Sequence, residues 1–307
     1  MCLGQTRPQP TTRGNEHLGN ESEISPNANF SLLMTIKHSP LTSLLGIFLL
    51  ALVFQTPAVA AELTSREIME RVINRDKGKD KTSDMEMVLI DKRGSQRVRK
   101  IRGYHQESEK QRNSILFFLA PADVKNTAFL TYDHKQRGVD DEQWLYLPAL
   151  RKTKRIAGKD QSGSFMGSDF NYSDMTEPNI DDFVYKKQGE PVVEGVKTWQ
   201  IEATPKNKEV ASDTGYSKSV MFVRQDNFVP IRSVSWVNRS RKMKFMKVVK
   251  LEQIEGIWVA LESQMATKEG RSVVHSTYLR NSNVRFNQRL PKEVFTIRQL
   301  EKGVPGL

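Results

Sequence analysis

The segment SDMEMVLIDKRGSQRVRKI, residues 83–101, decides the fold. Apolar and polar side chains alternate from Met85 to Leu89, which is the period of a β-strand with one buried face. Turn residues follow at 92–95, and Val98 then begins a second apolar stretch. The segment therefore predicts a β-hairpin.

Strand-like stretches of similar length continue along the rest of the chain. They lie at 114–119, 127–132, 143–147, 198–203, 219–223, 231–237, 244–251, 257–265 and 272–279. Short strands separated by turn residues favour a sandwich or barrel. Since few helical stretches lie between them, a parallel α/β sheet is not expected.

One helix is predicted before the first strand. Thr64 and Glu67 have the spacing of a capping box, in which each side chain satisfies a backbone N–H of the other residue. Ile68, Met69, Val72 and Ile73 then share one helical face.

Two segments interrupt the strand pattern. The longer one, Gly158–Asp182, is rich in Gly, Ser and Asp and also carries aromatic and methionine side chains. Loops of this length in a compact domain are usually functional or disordered, and the apolar residues favour a lid or plug. The second segment, Pro205–Gly215, is polar and predicts a turn region.

The N-terminal sequence predicts export from the cytoplasm. Lys37 precedes an apolar run from Leu41 to Phe54, and Ala58-Val59-Ala60 provides a small-x-small cleavage site. We interpret residues 34–60 as a signal peptide; an uncleaved anchor is disfavoured by that site. Translation would then start at Met34, and residues 1–33 would be an extension that results from a start codon assigned too far upstream. Residues 61–307 are the mature protein, which we predict to be a single periplasmic domain.

Composition narrows the function further. The formal net charge is +11, so in the envelope we expect contact with lipid head groups or acidic partners rather than nucleic acid. The only cysteine, Cys2, lies in the extension, so the mature chain has no disulfide, thiolate nucleophile or lipidation site.

A catalytic or metal-binding constellation is not found in the sequence. Ser is not at the centre of Gly163–Gly167, as a nucleophile elbow would require. The histidines His105, His134 and His275 lack metal-ligand spacing. We therefore predict no enzyme, metal or cofactor. A hydrolase that uses Asp169 and Asp174 stays open as a minor alternative.

Apolar side chains exceed the needs of a simple core, and we predict that they form the wall or lid of an apolar cavity. Any one of them could equally be ordinary packing. The candidates are Met87, Phe117, Phe129, Trp144, Tyr146, Phe165, Met166, Phe170, Trp199, Phe222, Trp236, Phe245 and Trp258, and Met221 belongs to the same apolar set.

Basic side chains cluster in two places. Arg151, Lys152, Lys154 and Arg155 are predicted to dock an acidic partner or lipid head groups, although lysines also protect an edge strand against aggregation. In the second cluster, 239–250, alternation predicts Lys242 and Lys244 on an outer face, with Lys250 as a further candidate, and Met243 and Phe245 partly on the other face.

Three blocks together resemble the outer-membrane lipoprotein-sorting family. They are FLAPADVKNTAFLTYD (118–133), DEQWLYLPALRKTKRIAGKD (141–160) and SFMGSDFNYSDM (164–175). The resemblance covers roughly 63–295 and is strongest to the branch associated with resistance-nodulation-division exporters.

The resemblance implies a strongly curved, unclosed antiparallel β half-barrel around an apolar cavity, with a helical lid. It also implies that the protein carries lipoprotein or lipid acyl chains and passes them to or from an inner-membrane exporter. An acyl chain needs such a carrier because exposing each CH₂ to water costs about 0.8 kcal/mol. The alternative is a lipid sensor with the same fold that docks on a signalling partner.

Overall fold

The computed structural model describes residues 62–136 and 138–306. The predicted extension and signal peptide lie outside the described residues. The described residues form one compact unit. None of the helices within the described ranges has the length and hydropathy that a membrane span requires.

A sheet of 14 antiparallel strands dominates the described residues. The strands are β1 Asp80–Asp91, β2 Gln96–Glu107, β3 Gln111–Ala120, β4 Ala128–His134, β5 Glu142–Leu147, β6 Lys152–Ile156, β7 Phe183–Gly189, β8 Val192–Val193, β9 Val196–Pro205, β10 Tyr216–Arg224, β11 Pro230–Val237, β12 Lys242–Ile254, β13 Ile257–Glu269 and β14 Ser272–Phe286. The hairpin predicted from residues 83–101 is confirmed as β1 and β2.

The strand order is β6-β5-β4-β3-β2-β1-β14-β13-β12-β11-β10-β9-β7, with β8 paired to β9. Nearly all neighbours are consecutive in sequence, as short hairpin connections require. The pairing of β1 with β14 joins the two halves. Since β6 and β7 end the order and do not pair with each other among the described strands, the sheet is unclosed, and the predicted half-barrel class is confirmed.

Three α-helices accompany the sheet in the described ranges: α1 Ser65–Asn74, α2 Lys208–Thr214 and α3 Ile297–Lys302. The capping box of α1 is confirmed, because Glu67 N–H donates to Thr64 Oγ1 at 3.2 Å and Thr64 N–H donates to Glu67 Oε2 at 2.8 Å. The segment 205–215 is more than a turn, since α2 forms there between an Asn207 N-cap and a left-handed Gly215.

Short 3₁₀ turns fill most of the long connection between β6 and β7. They span Gly158–Asp160, Phe165–Gly167, Tyr172–Met175 and Ile180–Asp182, with two more at Pro148–Leu150 and Lys292–Phe295. The connection therefore joins the two edges of the sheet. We call residues 158–182 the plug segment.

Candidate functional site

The register of the strands assigns side chains to two faces of the sheet. Met87 lies opposite Leu279, and Leu89 lies opposite Thr277, which in turn lies opposite Met265. From Met265 the pairing continues across the next four strands through Met246, Ser233, Met221 and Ile201. Because side chains at opposed positions share a face, these residues define one face, which we call the inner face.

Aromatic packing holds the plug segment on the inner face. Phe165 is 1% exposed and packs in a cluster with Met87, Leu89 and Phe129. Its ring lies 5.0 Å from that of Phe129 and 5.5 Å from that of Tyr172, both in edge-to-face geometry. Such pairs add about 0.5–1.5 kcal/mol to the burial of their area. The segment thus plugs the β1–β6 half of the inner face.

Asp169 is the main polar anchor of the plug segment. The residue is 3% exposed, and its carboxylate accepts hydrogen bonds from Thr267 Oγ1 at 2.5 Å and Thr277 Oγ1 at 2.6 Å. His275 Nδ1 lies 2.7 Å from the same carboxylate, and Asp169 N–H donates to Thr277 Oγ1 at 2.9 Å. All three partners lie on β13 and β14, so the carboxylate fixes the plug to the middle of the sheet.

Asn171 makes a second anchor with a buried lysine. Lys244 Nζ donates to Asn171 Oδ1 at 2.6 Å, and Asn171 Nδ2 donates to Thr214 O at 3.0 Å. Burial lowers the pKa of Lys244, while Asp174 and Asp169 oppose that shift. The prediction that Lys244 lies on the outer face is therefore wrong. The plug supplies polar partners that keep this lysine inside, and Phe245 points outward.

Further hydrogen bonds tie the plug to both halves of the sheet. Arg99 Nη1 donates to Met166 O, and Gln143 Nε2 donates to Tyr172 O at 2.8 Å. On the other side, Tyr216 Oη donates to Asp174 Oδ2 at 2.8 Å. Burial raises the pKa of Asp174. Since both candidate hydrolytic carboxylates serve as plug anchors, their positions do not favour the hydrolase alternative.

A cavity of about 1010 Å³ remains beside the plug on the inner face. Its floor is the β10–β13 part of the sheet, where three methionines alternate with serines. The floor residues are Met221, Met246, Met265, Ser219, Ser233 and Ser235. Helix α1 contributes Met69 and Ile73, and α2 contributes Val210. Methionine adapts its shape to irregular apolar ligands, so this floor suits flexible chains.

Six predicted apolar site residues lie on the inner side. Five of them pack within the plug cluster: Met87, Phe129, Phe165, Met166 and Phe170. Phe170 also lines the cavity. Trp199 packs instead with α1, and its ring stacks 5.4 Å from that of Phe228. The plug segment thus covers apolar side chains that we predicted from the sequence to contact a ligand.

Three predicted wall residues lie on the outer face of β3 and β5. Phe117, Trp144 and Tyr146 pack against the C-terminal segment, including Val294 and Phe295. Phe295 is 4% exposed, so this part of the outer face is covered by the chain itself. The extra apolar surface there is explained by packing, and these three side chains do not line the cavity.

The other four predicted wall residues also lie away from the cavity. Phe222, Trp236 and Phe245 alternate with inner-face neighbours and so point outward. Lys218 Nζ lies 4.3 Å from the Trp236 ring centroid, and Lys268 Nζ lies 4.6 Å from that of Phe245. Trp258 packs near Phe222 in a separate cluster.

The predicted docking cations lie together on β6 and the turn before it. Arg151, Lys152, Lys154 and Arg155 are all exposed. Lys154 forms a long ion pair with Asp160 at 3.6 Å, and Arg155 forms one with Glu142 at 3.5 Å and also lies over the Trp144 ring. The free edge of β6 therefore carries a basic surface.

The floor methionines Met246 and Met265, and the anchoring role of Asp169, were missed from the sequence. Met221, Met246 and Met265 recur on three strands with period-two neighbours, which was an available signal. Asp169 lies in a block that the family resemblance included, but its partners are about 100 residues away. Only the fold brings those groups together.

Comparisons with known proteins agree with this architecture. A family model described as "Uncharacterized protein" matches residues 110–302. No curated protein matches the chain. The crystal structure of a DUF1329 family protein from Desulfovibrio piger is 28% identical, with a TM-score of 0.69 over 77% of this chain and 97% of that chain.

Two further crystal structures are similar to this chain, and the description of the first concerns lipoprotein sorting. An outer membrane lipoprotein-sorting protein domain from Vibrio parahaemolyticus is 28% identical, with a TM-score of 0.70 over 77% of this chain and 98% of that chain. A LolA superfamily protein from Nitrosomonas europaea is 17% identical, with a TM-score of 0.59 over 78% and 100%, and shares the fold. The family resemblance drawn from the sequence is confirmed, while the exporter-associated branch is not.

Proposed function

The chain belongs to the family whose model matches residues 110–302, and from that premise we propose that it is a periplasmic carrier of acyl chains. It binds the chains of a lipoprotein or another lipid in its half-barrel and passes them to or from an envelope transporter. Its lipoprotein-sorting-like fold supports the carrier part of this proposal. The role is one of binding and transfer, without catalysis.

The cavity over the methionine floor is the observation that carries the proposal. Its volume of about 1010 Å³ lies at the upper end of the range for small-molecule sites, about 300–1,000 Å³. Burial of apolar area contributes about 25 cal/mol per Å², so an acyl chain gains substantially by leaving water. The serines between the methionines keep the floor free of bulky side chains.

The plug segment supplies the adjustable part of the site. It fills the β1–β6 half of the inner face mainly through Phe165, while polar bonds from Asp169 and Asn171 hold its centre. A longer or branched lipid gains room if the plug moves, because Met87, Phe118 and Phe129 lie beneath it. The plug therefore competes with lipid for the same apolar surface.

Two glutamate substitutions on β12 test the cavity with a matched control. Met246 lines the cavity, whereas Met243 lies three positions earlier, opposite Trp236 on the outer face. Met246→Glu is expected to weaken binding of a fluorescent fatty acid at least tenfold, because the charge would face the apolar chain. Met243→Glu is expected to bind like wild type. Equal affinities in all three folded proteins would reject the cavity as the lipid site.

The basic edge at β6 supports a docking role towards an acidic partner, for which we propose an inner-membrane exporter of the resistance-nodulation-division type. Replacing the four cations at 151, 152, 154 and 155 with glutamine should weaken binding of that exporter. The difference from wild type should shrink at high salt, because salt screens exposed charges. Glutamine at Arg239, Arg241, Lys242 and Lys247, which are also exposed, is the control. A stable stoichiometric complex with a signalling protein instead would favour the sensor alternative.

A further inference from the structure

A small chamber of about 130 Å³ adjoins the main cavity. It lies between the inner face of β2–β4 and the last part of the plug segment, and Arg112, Asp133 and Glu177 line both spaces. Its size is sufficient for a small charged group but not for an acyl chain.

Buried polar atoms in this chamber lack hydrogen-bond partners among the described residues. They are Arg112 Nε, Thr131 Oγ1 and His105 Nε2. Arg112 is 6% exposed and Thr131 is 1% exposed, so water reaches these groups poorly. Leaving a buried polar group unpaired costs about 1–3 kcal/mol, and native structures retain few such groups. Their convergence points to a ligand that pairs with them.

The carboxylates of the chamber already have partners. Asp133 Oδ2 accepts from Glu177 N–H at 3.0 Å, and Glu177 Oε1 accepts from Lys77 Nζ at 2.5 Å. Asp174 Oδ2 accepts from Asn171 N–H at 2.7 Å and from Tyr216 Oη. Arg112 Nη1 lies 3.4 Å from Asp133 Oδ1, and Arg112 Nε lies 3.5 Å from Glu107 Oε1, a long ion pair that makes no hydrogen bond. Of the groups left to bind a ligand, Arg112 Nε is a donor, and Thr131 Oγ1 and His105 Nε2 can each donate a hydrogen bond.

The charge next to His105 is cationic, although Asp133, Asp174 and Glu177 also line the chamber. Burial, and then the charges of four surrounding cations, lower the pKa of His105 to about 3. The four cations are Lys77, Lys81, Arg112 and Lys135. Burial also lowers the pKa of Lys81, and the nearby charges of Arg75 and Lys77 lower it further. A phosphate or carboxylate would relieve this repulsion between cations.

We propose that the chamber of His105, Arg112 and Thr131 binds the phosphate or carboxylate head group of an anionic amphiphile. The apolar chain of the same molecule extends along the methionine floor of the main cavity. This inference rests on the carrier function and specifies its ligand class. An arginine is well suited to the role because its fork of N–H donors matches the oxygens of both anions.

Calorimetric titration with three probes tests the proposal: dodecyl phosphate and dodecanol below their aggregation limits, and inorganic phosphate. Wild type should bind dodecyl phosphate at least tenfold more tightly than dodecanol. Arg112→Gln and the nearly isosteric Thr131→Val should lose that preference and keep the dodecanol affinity. Arg285→Gln, which removes an exposed charge on β14, should behave like wild type.

A second readout follows His105 directly. Its ring resonances should shift when dodecyl phosphate binds to wild type and stay unchanged with dodecanol. Equal affinities for the two amphiphiles, or equal losses for both in the variants, would overturn the head-group site. Inorganic phosphate that binds as tightly as dodecyl phosphate would overturn the link between chamber and chain. Failure of both amphiphiles to bind would instead reject the carrier function itself.

Discussion

Replacing Asp169 with asparagine is expected to loosen the plug segment while the sheet stays folded. The carboxylate has bonds of 2.5, 2.6 and 2.7 Å to Thr267, Thr277 and His275. An amide has a single acceptor oxygen and no charge, so at least one of these bonds is lost or reversed. The perturbation therefore acts on the attachment of the plug and leaves the strand pairing intact.

The size of the effect follows from the burial of this network. A hydrogen bond to a charged group contributes about 1.5–3 kcal/mol. A loss of about 2 kcal/mol corresponds to roughly a 30-fold increase in the opened plug, because 1.4 kcal/mol is a factor of ten. Hydrogen exchange measures this population directly for residues 163–175, where Ser168 N–H donates to Phe165 O and Tyr172 N–H donates to Gly163 O.

Asp160→Asn provides the control, since Asp160 is exposed and lies in the same segment. It should leave exchange in 163–175 unchanged, and amides of β13 and β14 should stay protected in both variants. If Asp169→Asn exchanges at the wild-type rate throughout 163–175, Asp169 does not anchor the plug. Global loss of protection would show that the plug and sheet unfold as one unit, which also contradicts the account.

Three further variants test other parts of the structure. Burial and, to a smaller extent, the charge of the neighbouring Asp133 raise the pKa of Asp141 from 3.8 to about 6. Between these pH values the folded state binds a proton at Asp141 more tightly than the unfolded state does. The free energy of unfolding should therefore fall as the pH rises from about 4 to about 6. In urea titrations at several pH values, Asp141→Asn should make this fall smaller. An unchanged dependence of the free energy on pH would contradict the raised pKa of Asp141. Phe295→Ala should cost about 3–5 kcal/mol in urea unfolding because it opens a hole under the outer face, yet lipid affinity should persist; a selective loss of affinity would place that face in the site. Thr64→Ala should cost about 1 kcal/mol by removing the cap of α1, seen as a fall of about 2–4 °C in Tm; no change would mean that the cap is dispensable.

The strands and the first helix could be predicted because their signals are local. Period-two alternation in 83–101 and the Thr64–Glu67 capping box depend only on neighbours in sequence, and both are confirmed. The faces of β3 were harder to predict because both are covered. Phe118 packs against the plug cluster and Phe117 packs against the C-terminal segment, so neither side is polar.

The identity of the inner face depends on contacts that no local pattern reveals. The charge of Lys244 predicts that it is exposed. In the structure it is buried on the inner face, where its Nζ donates a hydrogen bond to Asn171 Oδ1 of the plug segment. The aromatic residues Trp236 and Phe245 are read as buried, but lysine side chains cover them on the outer face. In both cases side chains from another part of the sequence, and not the polarity of the residue itself, determine which face of the sheet the residue occupies.

Native mass spectrometry with lipid extraction, on protein purified from its own periplasm without detergent, tests the central claim most directly. The account predicts a co-purifying species with an acyl chain and an anionic head group, which Met246→Glu loses and Met243→Glu retains. Wild-type protein that emerges empty, or lipid retained equally by both variants, would contradict a carrier that uses the methionine floor.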